Sequence, residues 1–217
     1  MRMASVLEFV EGPLWLFASA VFVLGVVWRL LRIFLADSRA DIAPSRRSGA
    51  FGALRTIVSR SWSAPGFSKG ATFHLVAGYM FHIGLFVLVL FAAPHVEFIE
   101  QRLLGFAWPA VPHWVFILSA ELAFAGLLLL WLRRALHPVM KQISTWDDHA
   151  AAILIFLAML TGCLALLRSH DSLRLLHMVT VELLMIYFPF SRLMHAFTFV
   201  ISRAYTGASM ARRGVQA

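Results

Sequence analysis

The stretch HMVTVELLMIYFPFSRLMH, residues 177–195, opens and closes on histidine, with Glu182 and Arg192 the only full charges between them. At about 100° and about 1.5 Å per residue, a separation of eighteen residues is five whole turns and roughly 27 Å. Both imidazoles then leave the same helix face near opposite sides of a bilayer, whose hydrocarbon core is about 30 Å thick. Ionisable side chains are costly at such depth and mark pathways, pairs or cofactors. The two ends of this segment therefore point to function.

The rest of the chain has the same character. Of its 217 residues, 60% are hydrophobic and only 14% charged, and the mean hydropathy of +0.79 lies outside the range of soluble domains. Five apolar runs are long enough to span, at about 12–35, 72–95, 113–132, 149–168 and 174–200. None alternates as a barrel strand would. The predicted fold is all-α, an integral membrane bundle of five transmembrane helices, with one domain over 1–203 and a short cytoplasmic tail over 204–217.

A net charge of +8 raises the question of nucleic acid, but its distribution excludes that reading. Fifteen of the 19 Lys and Arg residues fall in or beside the first and third connections and the C-terminal end. Only Arg2, Arg102, Arg168 and Arg174 lie on the other side. This is the positive-inside asymmetry, predicting an outer N-terminus and a cytoplasmic C-terminus in a bacterial or archaeal cytoplasmic membrane. The first run reads as an uncleaved helix, being long for a signal peptide and followed by its basic flank. The single cysteine, Cys163, excludes a disulfide framework and a cysteine-held iron–sulfur cluster within the chain.

Between the first two runs, Phe51, Leu54, Ile57, Val58 and Trp62 recur at helical spacing around Arg55 and Arg60. They predict a short amphipathic helix at the membrane surface, a solvated basic loop held by lipid headgroups, or a docking surface for a cytoplasmic partner. The connection VEFIEQRLLGFAWPAVP is apolar and aromatic enough to lie along the membrane interface. In STWDDHA, Ser144 or Thr145 with Asp147 and Asp148 predicts an N-terminal helix cap.

Nine histidines are many for so apolar a chain. For one isolated membrane histidine, a hydrogen bond to a neighbouring helix is the commoner explanation. Two on one face need more. The second run supplies His74, His82 and His95, and it passes the membrane in the sense opposite to the fifth. His82 is then at the level of His195, and His95 at that of His177. Two stacked histidine pairs are what two six-coordinate haems require, and closing both axial positions favours electron transfer. Porphyrins also need close helix approach, which Gly78 and Gly84 permit. His82 and His95 are thirteen residues apart, roughly 19.5 Å and about 140° round an ideal helix. A kink at Pro94 is the expected remedy. His74 competes for the inner site; His113 and His170 compete for the outer one; His137 and His149 are interfacial.

FPFSRLMH, with a histidine eighteen residues before its last residue, and FHIG in the second run resemble the membrane gamma subunit of respiratory nitrate reductase. The resemblance covers roughly residues 70–203. It implies two b-type haems held by four histidines, quinol oxidation near the outer haem, and electron passage to a cytoplasmic iron–sulfur subunit and its catalytic partner. By position, His82 and His195 correspond to the inner ligands and His177 to one outer ligand. The family's fourth ligand falls here on Ala92, with His95 the nearest substitute. That displacement is more similar to the membrane subunits of heterodisulfide-reductase-like and sulfite-reductase-linked complexes, so the wider superfamily is the relevant one. The motif position of Arg192 implies contact with an inner-haem propionate, beside the alternative of snorkelling to headgroups.

Glu121 and Glu182 are the carboxylates well inside the apolar runs, each about 12 Å from the outer end. They are candidates for a quinone site or proton path, since quinol oxidation releases two protons; the alternative is a protonated glutamate bonded to a neighbouring helix. The expected role is thus an electron-transfer subunit exchanging electrons between quinone and a cytoplasmic partner, inactive alone toward the terminal substrate. The rivals are a single-haem or haem-free anchor and a small proton- or ion-conducting membrane protein.

Overall fold

The computed structural model describes residues 3–36, 44–62, 69–166 and 171–215. His170 and Arg168, weighed above, lie outside them. Among the described residues every regular element is helical: α1 (Met3–Phe9), α2 (Trp15–Phe34), α3 (Gly49–Ser59), α4 (Lys69–Phe91), α5 (Ala93–Ile99), α6 (His113–Leu136), α7 (Pro138–Ile143), α8 (Trp146–Ala165), α9 (Asp171–Tyr187) and α10 (His195–Arg212). Five helical stretches are long and apolar enough to cross a membrane: Met3–Phe34, Ala71–Phe91, His113–Leu136, Trp146–Ala165 and Asp171–Phe190. At about 1.5 Å per residue, even the shortest reaches about 30 Å. Large apolar side chains such as Leu16, Leu24 and Trp28 stand exposed along them, as lipid-facing residues do.

The chain divides into two compact units. One comprises Met1–Gly66 and Leu160–Ala217, the other Phe67–Met159.

In the second unit, α4 and α6 are pressed together through small residues. A Cβ placed on Gly84 would come within 2.5 Å of the Ser119 carbonyl oxygen, and one on Gly126 within 2.5 Å of the Phe81 nitrogen. As α4 ascends from Ala77 to Gly84, α6 descends from Gly126 to Ser119, so the helices are antiparallel. With no hydrophobic drive between helices in lipid, such close backbone approach supplies the packing. This is the close helix approach expected of Gly84. Gly78 has nothing within 4 Å of its virtual Cβ.

The start of α8 follows the predicted cap. Asp148 accepts hydrogen bonds from the Thr145 N–H at 2.9 Å and from its hydroxyl at 3.1 Å. The same buried carboxylate receives Arg134 from α6 at 3.0 Å, so the charge is paired where it is desolvated.

In the first unit, the run Met3–Phe34 is interrupted by a π-turn over Val10–Leu14 that accommodates Pro13, and Glu11 there forms an ion pair with Arg174 of α9. Further along, Phe22 meets Phe188 edge-on, and Gly25 lies under Pro189. Both helices advance together, so α2 and α9 are parallel.

The fifth span departs from expectation. Instead of one helix over 174–200, α9 stops at Tyr187, a 3-10 turn covers Phe188–Phe190, Ser191 is extended (φ −110°, ψ 176°), and a second 3-10 turn covers Arg192–Met194. Pro189 lacks an N–H to continue the ladder, and it is fully buried in the space left by Gly25. Ser191 then caps the new start, its hydroxyl accepting from the Leu193 N–H at 3.1 Å. Beyond the turn, α10 runs helically to Arg212 and packs against α3.

Candidate functional site

The candidate ligands divide between the units. His74, His82, His95 and Glu121 belong to the second; His177, Glu182, Arg192 and His195 belong to the first. Each unit positions its histidines by different means.

His82 is half-buried inside α4, and its Nδ1–H donates to the Gly78 carbonyl, one turn earlier, at 2.7 Å. This bond fixes the tautomer and ring direction and assigns Nε2 to any ligand role. The ring packs edge-on against Phe81. The open flank at Gly78 lets a flat group approach the α4 backbone next to that imidazole.

His95 is placed by a helix break, where a kink had been expected. The helix α4 ends at Phe91, Ala92 is extended (φ −65°, ψ 134°), and Pro94 sits in the first turn of α5, where its missing N–H costs nothing. The His95 ring folds back so that Nδ1–H donates to the Leu88 carbonyl at 2.9 Å. That carbonyl is one of those an ending helix leaves unpaired. Trp108 Nε1 and the Val111 N–H satisfy two more, on Leu90 at 2.8 Å and Phe91 at 3.0 Å.

His177 is half-buried in α9, and its Nδ1 pairs with Thr161 Oγ1 of α8 at 3.2 Å. Gly162 clears the space: a Cβ there would approach the ring's Cε1 at 3.0 Å. Neither Thr161 nor Gly162 was found by sequence reasoning, because a threonine and a glycine in an apolar run carry no motif.

His195 opens α10, and its Nδ1–H donates to the Arg192 carbonyl at 2.9 Å. The break before it means that the helical arithmetic placing His177 and His195 on one face does not apply. Their relation is set by the FPFSR turn. Arg192 is exposed at that turn, and His74 is exposed near the start of α4.

The two glutamates have opposite environments. Glu182 is 1% exposed, and neither carboxylate oxygen has a hydrogen-bond partner among the described residues. Buried polar groups are nearly always hydrogen-bonded, so a carboxyl left without a partner calls for a chemical explanation. Ser19 of α2 also has a buried hydroxyl without a partner. The register set by Glu11–Arg174 and Gly25–Pro189 places it near the level of Glu182. Glu121 is exposed on α6.

Among the described residues no three His, Cys, Asp or Glu side chains converge as a metal-binding group. A haem does not need one, since the porphyrin supplies four donors and the protein only axial imidazoles. The donor set therefore fits the group: four imidazoles, each with Nδ1 engaged by a fixed partner.

The fold defines a multi-pass α-helical membrane protein. The chain is 32% identical to a protein of Nitratidesulfovibrio vulgaris over 217 aligned positions, covering 95% of this chain and 94% of that one. It belongs to the same family as that protein. No family model matches the chain, and no solved structure matches it.

Proposed function

We propose that the chain is a dihaem cytochrome b subunit that exchanges electrons between membrane quinone and a cytoplasmic iron–sulfur and catalytic partner. The observation that carries this reading is the shared state of the four histidines. In His82, His95 and His195 the Nδ1–H is donated to a main-chain carbonyl, and in His177 Nδ1 meets a threonine hydroxyl. Axial haem histidines need that second bond to hold the ring and raise its basicity. A histidine bound only to a neighbouring helix for structural reasons has no need for the same nitrogen to be engaged each time.

In this reading His82 and His195 are the inner axial pair, and His95 and His177 the outer pair, with His74 the alternative inner ligand. Bound haem supplies one-electron carriage across the bilayer. The outer N-terminus and cytoplasmic C-terminus follow from the charge asymmetry, placing Arg192 on the cytoplasmic side, where its guanidinium suits a propionate. Glu182, as its carboxylate, accepts one of the two protons released when quinol is oxidised, its oxygens having no hydrogen-bond partner among the described residues, and the second proton passes to water. Glu121, directed outward from α6, is placed to meet a quinone arriving from lipid.

The test is substitution of single ligands. His195→Ala and His82→Ala should each remove the same one of two b-type components from the reduced-minus-oxidised spectrum, leaving the other. An unchanged spectrum in both variants contradicts the ligand assignment.

A further inference from the structure

The helices α3 and α10 form an antiparallel pair whose contact is made by small residues. Gly52 and Thr56 face Gly207 and Ala211, all four buried, and a Cβ on Gly52 or Gly207 would overlap the other helix's backbone. The Arg46 N–H donates to the Arg212 carbonyl at 2.8 Å, and Arg203 reaches the Ile57 carbonyl at 3.4 Å while lying over the Phe199 ring. These contacts turn the small face of α3 inward. Its bulky face is turned outward.

At about 100° per residue, Phe51, Leu54 and Val58, with Trp62 just beyond the helix, fall in an arc of about 80°. The centre of that arc is about 140° from the Gly52–Thr56 face. Their side chains are 70%, 63%, 58% and 70% exposed. The predicted amphipathic helix is therefore present, but its apolar stripe is covered by nothing in its own unit.

The charge of the pair identifies what covers it. Residues 44–62 and 195–215 contain seven arginines (46, 47, 55, 60, 203, 212 and 213) and no carboxylate. All but Arg203 are exposed. Moreover, α10 begins at His195, five residues after the last spanning residue, Phe190, so the pair starts at a membrane surface. The face of α10 turned away from α3 exposes Ser202, Thr206 and Arg213, with Tyr205 beside them 70% exposed. Aromatic and aliphatic residues on one side with arginines at the flanks are what an interfacial helix on an anionic leaflet requires.

We propose that the α3–α10 pair is a lipid-binding device: α3 lays Phe51, Leu54, Val58 and Trp62 into the headgroup–acyl boundary of an anionic leaflet, with the arginines on lipid phosphates. A soluble acidic protein is the competing occupant. Lipid is favoured because the stripe is tethered at the membrane and is wholly apolar. The inference is independent of whether haem is bound.

The test uses the full chain in nanodiscs, with Cys163→Ala as background and a spin label at Leu54→Cys, at Val58→Cys, or at Ser202→Cys. In discs containing anionic lipid, labels at 54 and 58 should be accessible to oxygen and shielded from a water-soluble nickel chelate, and the label at 202 the reverse. Replacing the anionic lipid with a zwitterionic one should raise nickel access at 54 and 58. So should raising salt from about 0.1 M to about 1 M, which shortens the Debye length from about 10 Å to about 3 Å. Nickel access at 54 and 58 equal to that at 202 in anionic discs overturns the proposal. Protection that appears only when a soluble subunit is added overturns it in favour of protein docking. Burial indifferent to lipid charge and salt overturns the role of the arginines.

Discussion

The two breaks that precede His95 and His195 share a recipe and differ in what holds them. Each follows a long apolar helix, each contains a proline, and each starts a new helix near a histidine. At Pro189 the break is held by packing, with the ring fully buried against Gly25 of a neighbouring helix. At Pro94 it is held by hydrogen bonds, with His95, Trp108 and Val111 meeting the carbonyls of Leu88, Leu90 and Phe91. A packed break tolerates no added volume. A hydrogen-bonded break tolerates volume but not the loss of a donor.

The largest effect should come from Gly25→Leu, since a Cβ there lies 2.5 Å from the Pro189 Cβ. Overpacking of this kind costs about 1–3 kcal/mol or more, and it should lower the thermal midpoint of the detergent-purified protein sharply. Gly12→Ala, with nothing within 4 Å, should leave it unchanged. If both variants melt alike, the break is not held by packing.

A smaller loss is expected for Trp108→Phe, which keeps the ring but removes the donor to Leu90. The cost should be about 1 kcal/mol, read as a modest fall in the same midpoint. A fall as large as that of Gly25→Leu would erase the distinction between the two breaks.

The smallest effect on stability should follow Thr161→Val, which keeps the shape beside His177 and removes its Nδ1 partner. The fold should be unaffected, while the midpoint potential of one b-type component shifts and the other stays. An unchanged pair of potentials would show that Thr161 does not hold His177 as a ligand.

Much of the fold was legible because a bilayer demands length. Runs of eighteen or more apolar residues announce themselves, and all five correspond to helical stretches of spanning length. Their ends were less legible. Phe188, Phe190 and Phe197 are as apolar as the helix before them, so hydropathy continues smoothly through a backbone that does not. Pro189 and Ser191 were the available signals, a ring without a donor and a capping hydroxyl, and a helical projection of residues 177–195 ignores both. The α3–α10 contact was hidden for another reason. Gly52 and Gly207 are small residues far apart in sequence, and nothing local links them. For the candidate site, the histidines were visible as expensive polar groups in apolar runs, but their supports were not. Gly78 accepts from His82 through its backbone carbonyl, by position alone, and Thr161 and Gly162 act across helices.

In the proposed function, four histidines with engaged Nδ1 atoms hold two haems. The most direct measurement is the pyridine haemochrome of the purified chain, taken with its protein concentration by quantitative amino-acid analysis. The purified chain should carry two b-type haems. A preparation folded by circular dichroism but lacking a Soret band would contradict it.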